Sequence, residues 1–233
     1  MPYTEKTFED QLNLLRRMVR DPSDTRWGPD AKIAAVNDGM CQAVLDLRCL
    51  PQNIALTMVA DTAEIAYPDD VLTIESLIFY YGGTSPKNLP VKSVRNLDIL
   101  DSSWRKLSAG TPEKAYIVGK RQIVLVPKPN AAAAALVLQC FYQEAPDTLT
   151  AVDMAVTPFN EVFALNPYWR VPVLCAVALL LNEEGREEAE NAMKAEAVYE
   201  RAVQKARRQI TAETSEDIKA MFYPAMEMYR GRR

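Results

Sequence analysis

Residues 115–129 read Ala-Tyr-Ile-Val-Gly-Lys-Arg-Gln-Ile-Val-Leu-Val-Pro-Lys-Pro, two β-branched runs on either side of a Gly-Lys dipeptide. Tyr116 to Val118 and Ile123 to Val126 have the composition of strands, and Gly119-Lys120 suits a two-residue hairpin turn with Gly in the first central position. The same texture extends both ways, from about residue 53 to 145. Ile54 to Val59, Val71 to Tyr81, Leu89 to Val91 and Leu136 to Tyr142 are further candidate strands, separated by Pro and Gly. One helical segment interrupts them: Val94 to Leu107 places Leu97, Leu100, Trp104 and Leu107 three and four residues apart, ahead of a turn at Gly110-Thr111-Pro112.

Outside this region the period is helical. Phe8, Leu12, Leu15 and Val19 share one face, with Thr7 placed as the N-cap and Asp21-Pro22 as the stop. Trp27 precedes Gly28 at a cap position and Pro29 at the first helical position; Ile33, Val36, Met40, Val44 and Leu47 then recur until Pro51 ends the helix. Towards the C-terminus, Val173 to Asn182 is apolar almost all round, as in a helix buried on most sides, with Pro172 in its first turn. Gly185 separates it from a charged, Ala-rich helix over Arg186 to Gln209. Residues 147–166 carry no firm pattern, although Glu161-Val162-Phe163 could form a short strand. The expected architecture is therefore α+β, mainly α. It is a helical body (1–52 and 167–209) with a β-rich insertion containing one helix (53–146), a connecting loop (147–166) and a C-terminal tail (210–233). The length of 233 residues favours one elaborated domain of ~150 to 230 residues with this appendage.

Composition excludes much chemistry. The chain has no histidine, which removes Ser-His-Asp and Cys-His catalysis, HExxH zinc sites and imidazole pH switching. Its 8 glycines are spaced so that neither GxxxxGK[ST] nor GxGxxG occurs. Cys41, Cys49, Cys140 and Cys175 include no CxxC pair; Cys41 and Cys49, if on one helix, stand ~12 Å apart, too far to bridge, so buried free thiols are expected. Carboxylates remain: Asp69-Asp70 in a turn, Asp98 with Asp101, and Glu183-Glu184 with Glu187-Glu188 at a helix start. Turn chemistry and the helix macrodipole explain the first and last of these, and no spaced triad marks a metal enzyme. No catalytic residue, metal ligand or cofactor is assigned. A net charge of −4 argues against broad phosphate contact; Arg16-Arg17 with Arg20, and Lys205 with Arg207-Arg208, read as solvated faces. The longest apolar run, Val171 to Leu181, is shorter than the ~20 residues of a membrane span. Met1 to Lys6 lacks the basic-then-apolar order of a secretory signal, and cytoplasmic synthesis is expected. Residues 215–233 crowd Ile218, Met221, Phe222, Tyr223, Met226, Met228 and Tyr229 ahead of Arg230-Gly231-Arg232-Arg233. Such a segment either fills a partner's groove or folds back on its own domain.

In their order, these segments resemble the tailed-bacteriophage head-tail adaptor (connector) family, whose members bind the portal. The matching features are the first helix running to Asp21-Pro22, Arg26-Trp27 opening the second, and the Tyr67-Pro68-Asp69-Asp70-Val71-Leu72 turn into a strand. Leu89-Pro90-Val91, Trp104, Gly110-Thr111-Pro112, Ala115-Tyr116 and Ile123 to Pro129 follow, then Phe141-Tyr142 and Pro146 before an apolar helix and a long charged one. The resemblance covers roughly residues 5–209. Two departures are the length of 147–166 and the position of Pro172. The resemblance implies a structural protein of the virion neck and no enzyme. Copies form a closed ring, usually of twelve, that links the portal to tail or nozzle proteins, with DNA only as passing cargo and no membrane. It also implies a helical bundle carrying the β-rich insertion, and an extended or helical C-terminal segment (210–233) that docks on the portal, with Phe222, Tyr223, Met226, Met228 and Tyr229 as anchors and Arg230, Arg232 and Arg233 adding charge complementarity. Repeating −4 around such a ring gives roughly −48, and charge of that sign facing the lumen would keep DNA from sticking. Alternative readings are a stopper or tail-completion subunit lower in the tail, a helical binding module that forms no rings, and a metal-dependent phage enzyme.

Overall fold

In the computed structural model, which describes residues 6–79, 86–93, 106–118, 121–158, 169–183 and 188–208, helices start where the sequence supplies a cap. Helix α1 (Phe8–Met18) begins on Thr7: its hydroxyl accepts from the Asp10 N–H while the Asp10 carboxylate accepts from the Thr7 N–H, a full capping box. It ends one turn before the expected Asp21-Pro22 stop. Arg20 takes a left-handed conformation (φ 57°), the Asp21 N–H bonds to the Arg16 carbonyl and the Arg20 N–H to that of Arg17, a Schellman closure with arginine where glycine is usual. Helix α2 (Pro29–Leu47) starts with Gly28 as N-cap and Pro29 inside the first turn, as expected, and closes on left-handed Arg48 (φ 51°). Further along the chain come the one-turn α3 (Ala131–Ala134), capped by the Asn130 side chain, then α4 (Val171–Glu183) and α5 (189–208).

The chain divides into two compact units, 1–49 with 146–233, and 50–145. In the first, α4 packs along α2, and α1 lies against both. Phe8, Leu12 and Leu15 of α1, Val36 and Met40 of α2, and Val173, Ala176, Val177 and Leu180 of α4 form its core. Gly39 sets the closeness of α2 and α4, since a Cβ there would stand 2.3 Å from the Pro172 carbonyl oxygen. The loop after residue 146 is tied in as well: Asn37 donates to the Leu149 carbonyl and accepts from its N–H, and the Val156 carbonyl takes the free Phe8 N–H of α1.

The second unit holds two four-stranded sheets. One has the order β1 (Pro51–Leu56), β8 (Leu138–Glu144), β3 (Val71–Phe79), β4 (Lys87–Leu89), all antiparallel. The other runs β2 (Glu64–Ala66), β7 (Gln122–Val126), β6 (Lys114–Val118), β5 (Val91–Ser93), with β5 and β6 parallel. Alternate residues point inward: Leu138 and Cys140 of β8 lie opposite Phe79 and Leu77 of β3 and meet Ile123 and Leu125 of β7 in one core. What reads in the sequence as one strand, Leu89 to Val91, is two. Pro90 has no N–H to give a ladder, its carbonyl accepts from the Ala115 N–H, and the chain passes there from one sheet to the other. The β6–β7 register pairs Val118 with Gln122, so three residues join the strands where two were expected.

The expected mainly α helical bundle carrying a β-rich insertion is corrected by this architecture. The protein is α+β, with about 40% helix and 25% strand in the described residues, five helices and two sheets. Strand runs seen singly suggested an appendage to a bundle; paired across long separations, as β1 is with β8, they bury a core of their own. The expected helix at Val94 to Leu107 and strand at Glu161-Val162-Phe163 lie wholly or mostly outside the described residues. No helix among the described residues is long and apolar enough to cross a membrane.

Candidate functional site

The first unit presents α5 outward, and the way α5 is mounted defines its exposed face. Its inner stripe is Ala192, Tyr199, Val203 and Ala206, all buried. The Tyr199 hydroxyl donates to the Asp46 carboxylate at 2.5 Å, and Arg207 donates to the Asp46 carbonyl at 2.5 Å and pairs with its carboxylate at 3.6 Å. Burial, with the Asp46 carboxylate beside it, pushes the Tyr199 hydroxyl pKa up, so it stays a donor across the neutral range. At its start, Glu188 accepts from Arg26, whose guanidinium stacks on Trp27 at 4.3 Å. Glu188 is held below its usual pKa by Asn191 and Arg26.

The loop that carries Arg26 and Trp27 is fixed by a buried polar knot. Lys32, on the apolar side of α2 and 0% exposed, donates to the Asp21 carbonyl (2.8 Å), the Asp21 carboxylate (2.8 Å) and the Asp24 carboxylate (2.6 Å). Asp21 also accepts from the N–H groups of Thr25, Arg26 and Trp27, and Asp24 binds Arg16 through two nitrogens, at 2.9 and 2.8 Å. Two carboxylates and two cations leave the knot neutral. Lys32 and the loop N–H groups hold the Asp21 carboxyl far below its ordinary pKa; Arg16 and Lys32 bring Asp24 down to about 2.

Outward from α5 the charges are differently placed. One flank carries Lys194, Arg201, Lys205 and Arg208 with Val198; the other carries Glu196 and Glu200 with Met193. Met193 is 70% and Val198 45% exposed. Arg201, Gln204, Lys205 and Arg208 line a shallow surface concavity of about 400 Å³.

The residues expected to dock on the portal, Phe222, Tyr223, Met226, Met228, Tyr229, Arg230, Arg232 and Arg233, lie outside the described residues, as do Asp98, Asp101, Glu184 and Glu187. Asp69 is exposed and pairs with Arg121, Asp70 is partly buried, and Glu183 is exposed. Among the described residues no three His, Cys, Asp or Glu side chains converge as a metal site would require. The four cysteines are free, and burial pushes the thiols of Cys49 up to about 12 and of Cys140 and Cys175 up to about 11. Of the basic groups noted in the sequence, Arg16 belongs to the knot and Arg207 to the α5 mount; Arg17 bonds the Asn13 carbonyl. Sequence reasoning missed the knot. Its signal was a lysine in line with Val36 and Met40, just after two aspartates.

No curated protein matches the chain. The model of the SU10 adaptor protein family matches residues 7–225, nearly the whole chain, which bears out the resemblance found in the order of its motifs. On that match the chain belongs to the SU10 adaptor protein family, a family of phage head-tail adaptors.

Proposed function

We propose that the protein works as a ring-forming adaptor between the portal and the tail. Copies close into a ring, twelve being the usual number for such connectors. Residues 215–233 insert against the portal, tail or nozzle proteins attach below, and DNA passes through as cargo. The role is structural, and the protein belongs to the virion neck.

The family match over 7–225 carries this reading, because it spans both compact units and runs into the segment proposed to dock. Two features support it. The rigid mounting of α5 and the neutral, buried knot beneath it suit a part that must hold its shape under load. In the tail segment, Phe222, Tyr223, Met226 and Tyr229 provide aromatic and methionine anchors of the kind that dominate interfaces once buried. The test is to mix the purified protein with its cognate portal and measure the mass of the complex, with and without residues 215–233. Binding by the full chain and its loss on truncation are the expected results. A full-length chain that never joins the portal, at any salt or concentration, refutes the adaptor role; a truncated chain that binds as well as the full one refutes the assignment of the tail.

A further inference from the structure

We propose that α5 is the side-to-side contact of the ring, with the basic flank of one copy's helix laid against the acidic flank of the next copy's. The proposal rests on the ring reading above and adds which residues close it. A cyclic ring needs two different, complementary surfaces on each subunit, because its contacts are heterologous. On a helix turning 3.6 residues per turn, Lys194, Val198, Arg201 and Lys205 fall to one side of the buried Ala192–Tyr199–Val203–Ala206 stripe, and Met193, Glu196 and Glu200 fall to the other. One helix therefore offers both halves of such a contact.

Three observations favour this over a merely solvated surface. First, like charges stand four apart on each flank, Glu196 with Glu200 and Arg201 with Lys205, and each such pair destabilises an isolated helix by about 0.2–0.5 kcal/mol. A solvated helix would do better with opposite signs, as at Glu190 and Lys194, which do pair, at 2.6 Å. Second, Glu196, Glu200, Arg201, Lys205 and Arg208 make no ion pair among the described residues, although Arg207 between them does. Third, each flank has an exposed apolar side chain beside its charges, Met193 on the acidic side and Val198 on the basic side. The helix macrodipole does not account for the arrangement, since it acts only in the first and last turns and Glu196, Glu200 and Arg201 lie between them.

The contact is tested by charge reversal. Glu196→Lys with Glu200→Lys makes both flanks basic, and Arg201→Glu with Lys205→Glu makes both acidic. All four positions are exposed, so each variant should melt with the parent. Masses are read by native mass spectrometry with and without the cognate portal. Each variant alone should lose the ring at concentrations where the parent forms it, and an equimolar mixture should regain it as an alternating ring. Assembly by both variants alone, or a mixture that stays unassembled, overturns the α5 contact and leaves the adaptor ring standing. A parent that forms no ring, with or without portal, overturns the ring reading and this proposal with it. A gel-shift arm with duplex DNA covers the competing partner. Loss of DNA binding in the Arg201→Glu, Lys205→Glu variant while its rings persist assigns the basic flank to phosphate and overturns the proposal.

Discussion

Replacing Gly39 by alanine sets two effects of opposite sign against each other. Glycine in mid-helix is unfavourable by about 1 kcal/mol relative to alanine, so on propensity alone Gly39→Ala should stabilise α2 by that amount. The close approach of α4 opposes it. The added Cβ would meet the Pro172 carbonyl oxygen at 2.3 Å, its carbon at 3.1 Å and the Ala176 nitrogen at 3.3 Å, all backbone atoms that no rotamer can move aside. Reaching ordinary contact at 3.4 Å requires the helices to part by roughly 1.1 Å (3.4 − 2.3). A radial gap of that order forfeits a quarter to a half of each dispersion contact, or about 1–2 kcal/mol for a side chain with ~50 contacts of ~0.1 kcal/mol each. Met40, Val36 and Val173 all lose contacts in this way, for a loss of about 3–6 kcal/mol; subtracting the gain in propensity leaves a net destabilisation of about 2–5 kcal/mol. Urea unfolding followed by intrinsic fluorescence measures it, since Trp27 and Trp169 belong to this unit. Ala34→Gly, at an exposed position of the same helix, calibrates propensity and should cost about 1 kcal/mol. A Gly39→Ala protein as stable as the parent, or more stable, would refute the claim that this glycine sets the α2–α4 separation.

The other predictions concern the knot and the cap. Lys32→Met removes the cation from buried Asp21 and half-buried Asp24 and should destabilise the protein by about 3–5 kcal/mol in urea titration; a loss below ~1 kcal/mol would show that Asp21 finds another partner, as Asp24 has in Arg16. Because Asp21 and Asp24 have depressed folded pKa values, they bind fewer protons folded than unfolded, so their contribution is complete above about pH 4 and is lost as pH falls through about 2. Thermal melts between pH 6 and pH 2 should therefore show most of this loss at the acid end, and a Lys32→Met melt with the same acid slope as the parent would contradict the assignment. Thr7→Ala opens the capping box and should cost about 1 kcal/mol, read from the urea midpoint; no change would mean that α1 is held by packing alone.

Features set by neighbouring residues were legible in the sequence, and those set by distant ones were not. Thr7, Gly28-Pro29 and Pro172 act within one turn, and the helices they start are where the periodicity puts them. Most strands were found as segments, β2 excepted, and the β6–β7 hairpin was read from its turn, but the long-range partners were not, because β1 with β8 is a pairing across most of the second unit. That is also why the helices were expected to dominate: an unpaired strand looks like decoration until its sheet supplies a core. Pro90 shows the same limit at one residue. It was visible as a break in a strand, but its role in passing the chain between sheets depends on Ala115, well downstream. At the candidate site, the acidic and basic residues of α5 read as general solvation, since only the position of the buried stripe separates them into two flanks.

The charges of the first unit thus fall into two populations with different physical settings. Asp21 and Lys32 are buried and Asp24 and Asp46 half-buried, and each has partners within the chain. There the low local dielectric makes an unpaired charge costly, so pairing is a condition of folding and says little about partners. Glu196, Glu200, Arg201 and Lys205 are exposed, carry no such penalty, and still stand in like-charged pairs that slightly weaken their own helix. Folding supplies no reason for that grouping. The proposed neighbouring copy does, because a flank of one sign is recognised only by a flank of the other, and attraction of that kind sets orientation and register more than strength. In the proposed ring the knot has a part in assembly without touching the neighbour. By fixing the loop that carries Arg26, it anchors the start of α5 through Glu188, while Tyr199, Asp46 and Arg207 hold the rest. A helix held over its length presents its two flanks in one fixed direction, which a ring closed by identical contacts requires.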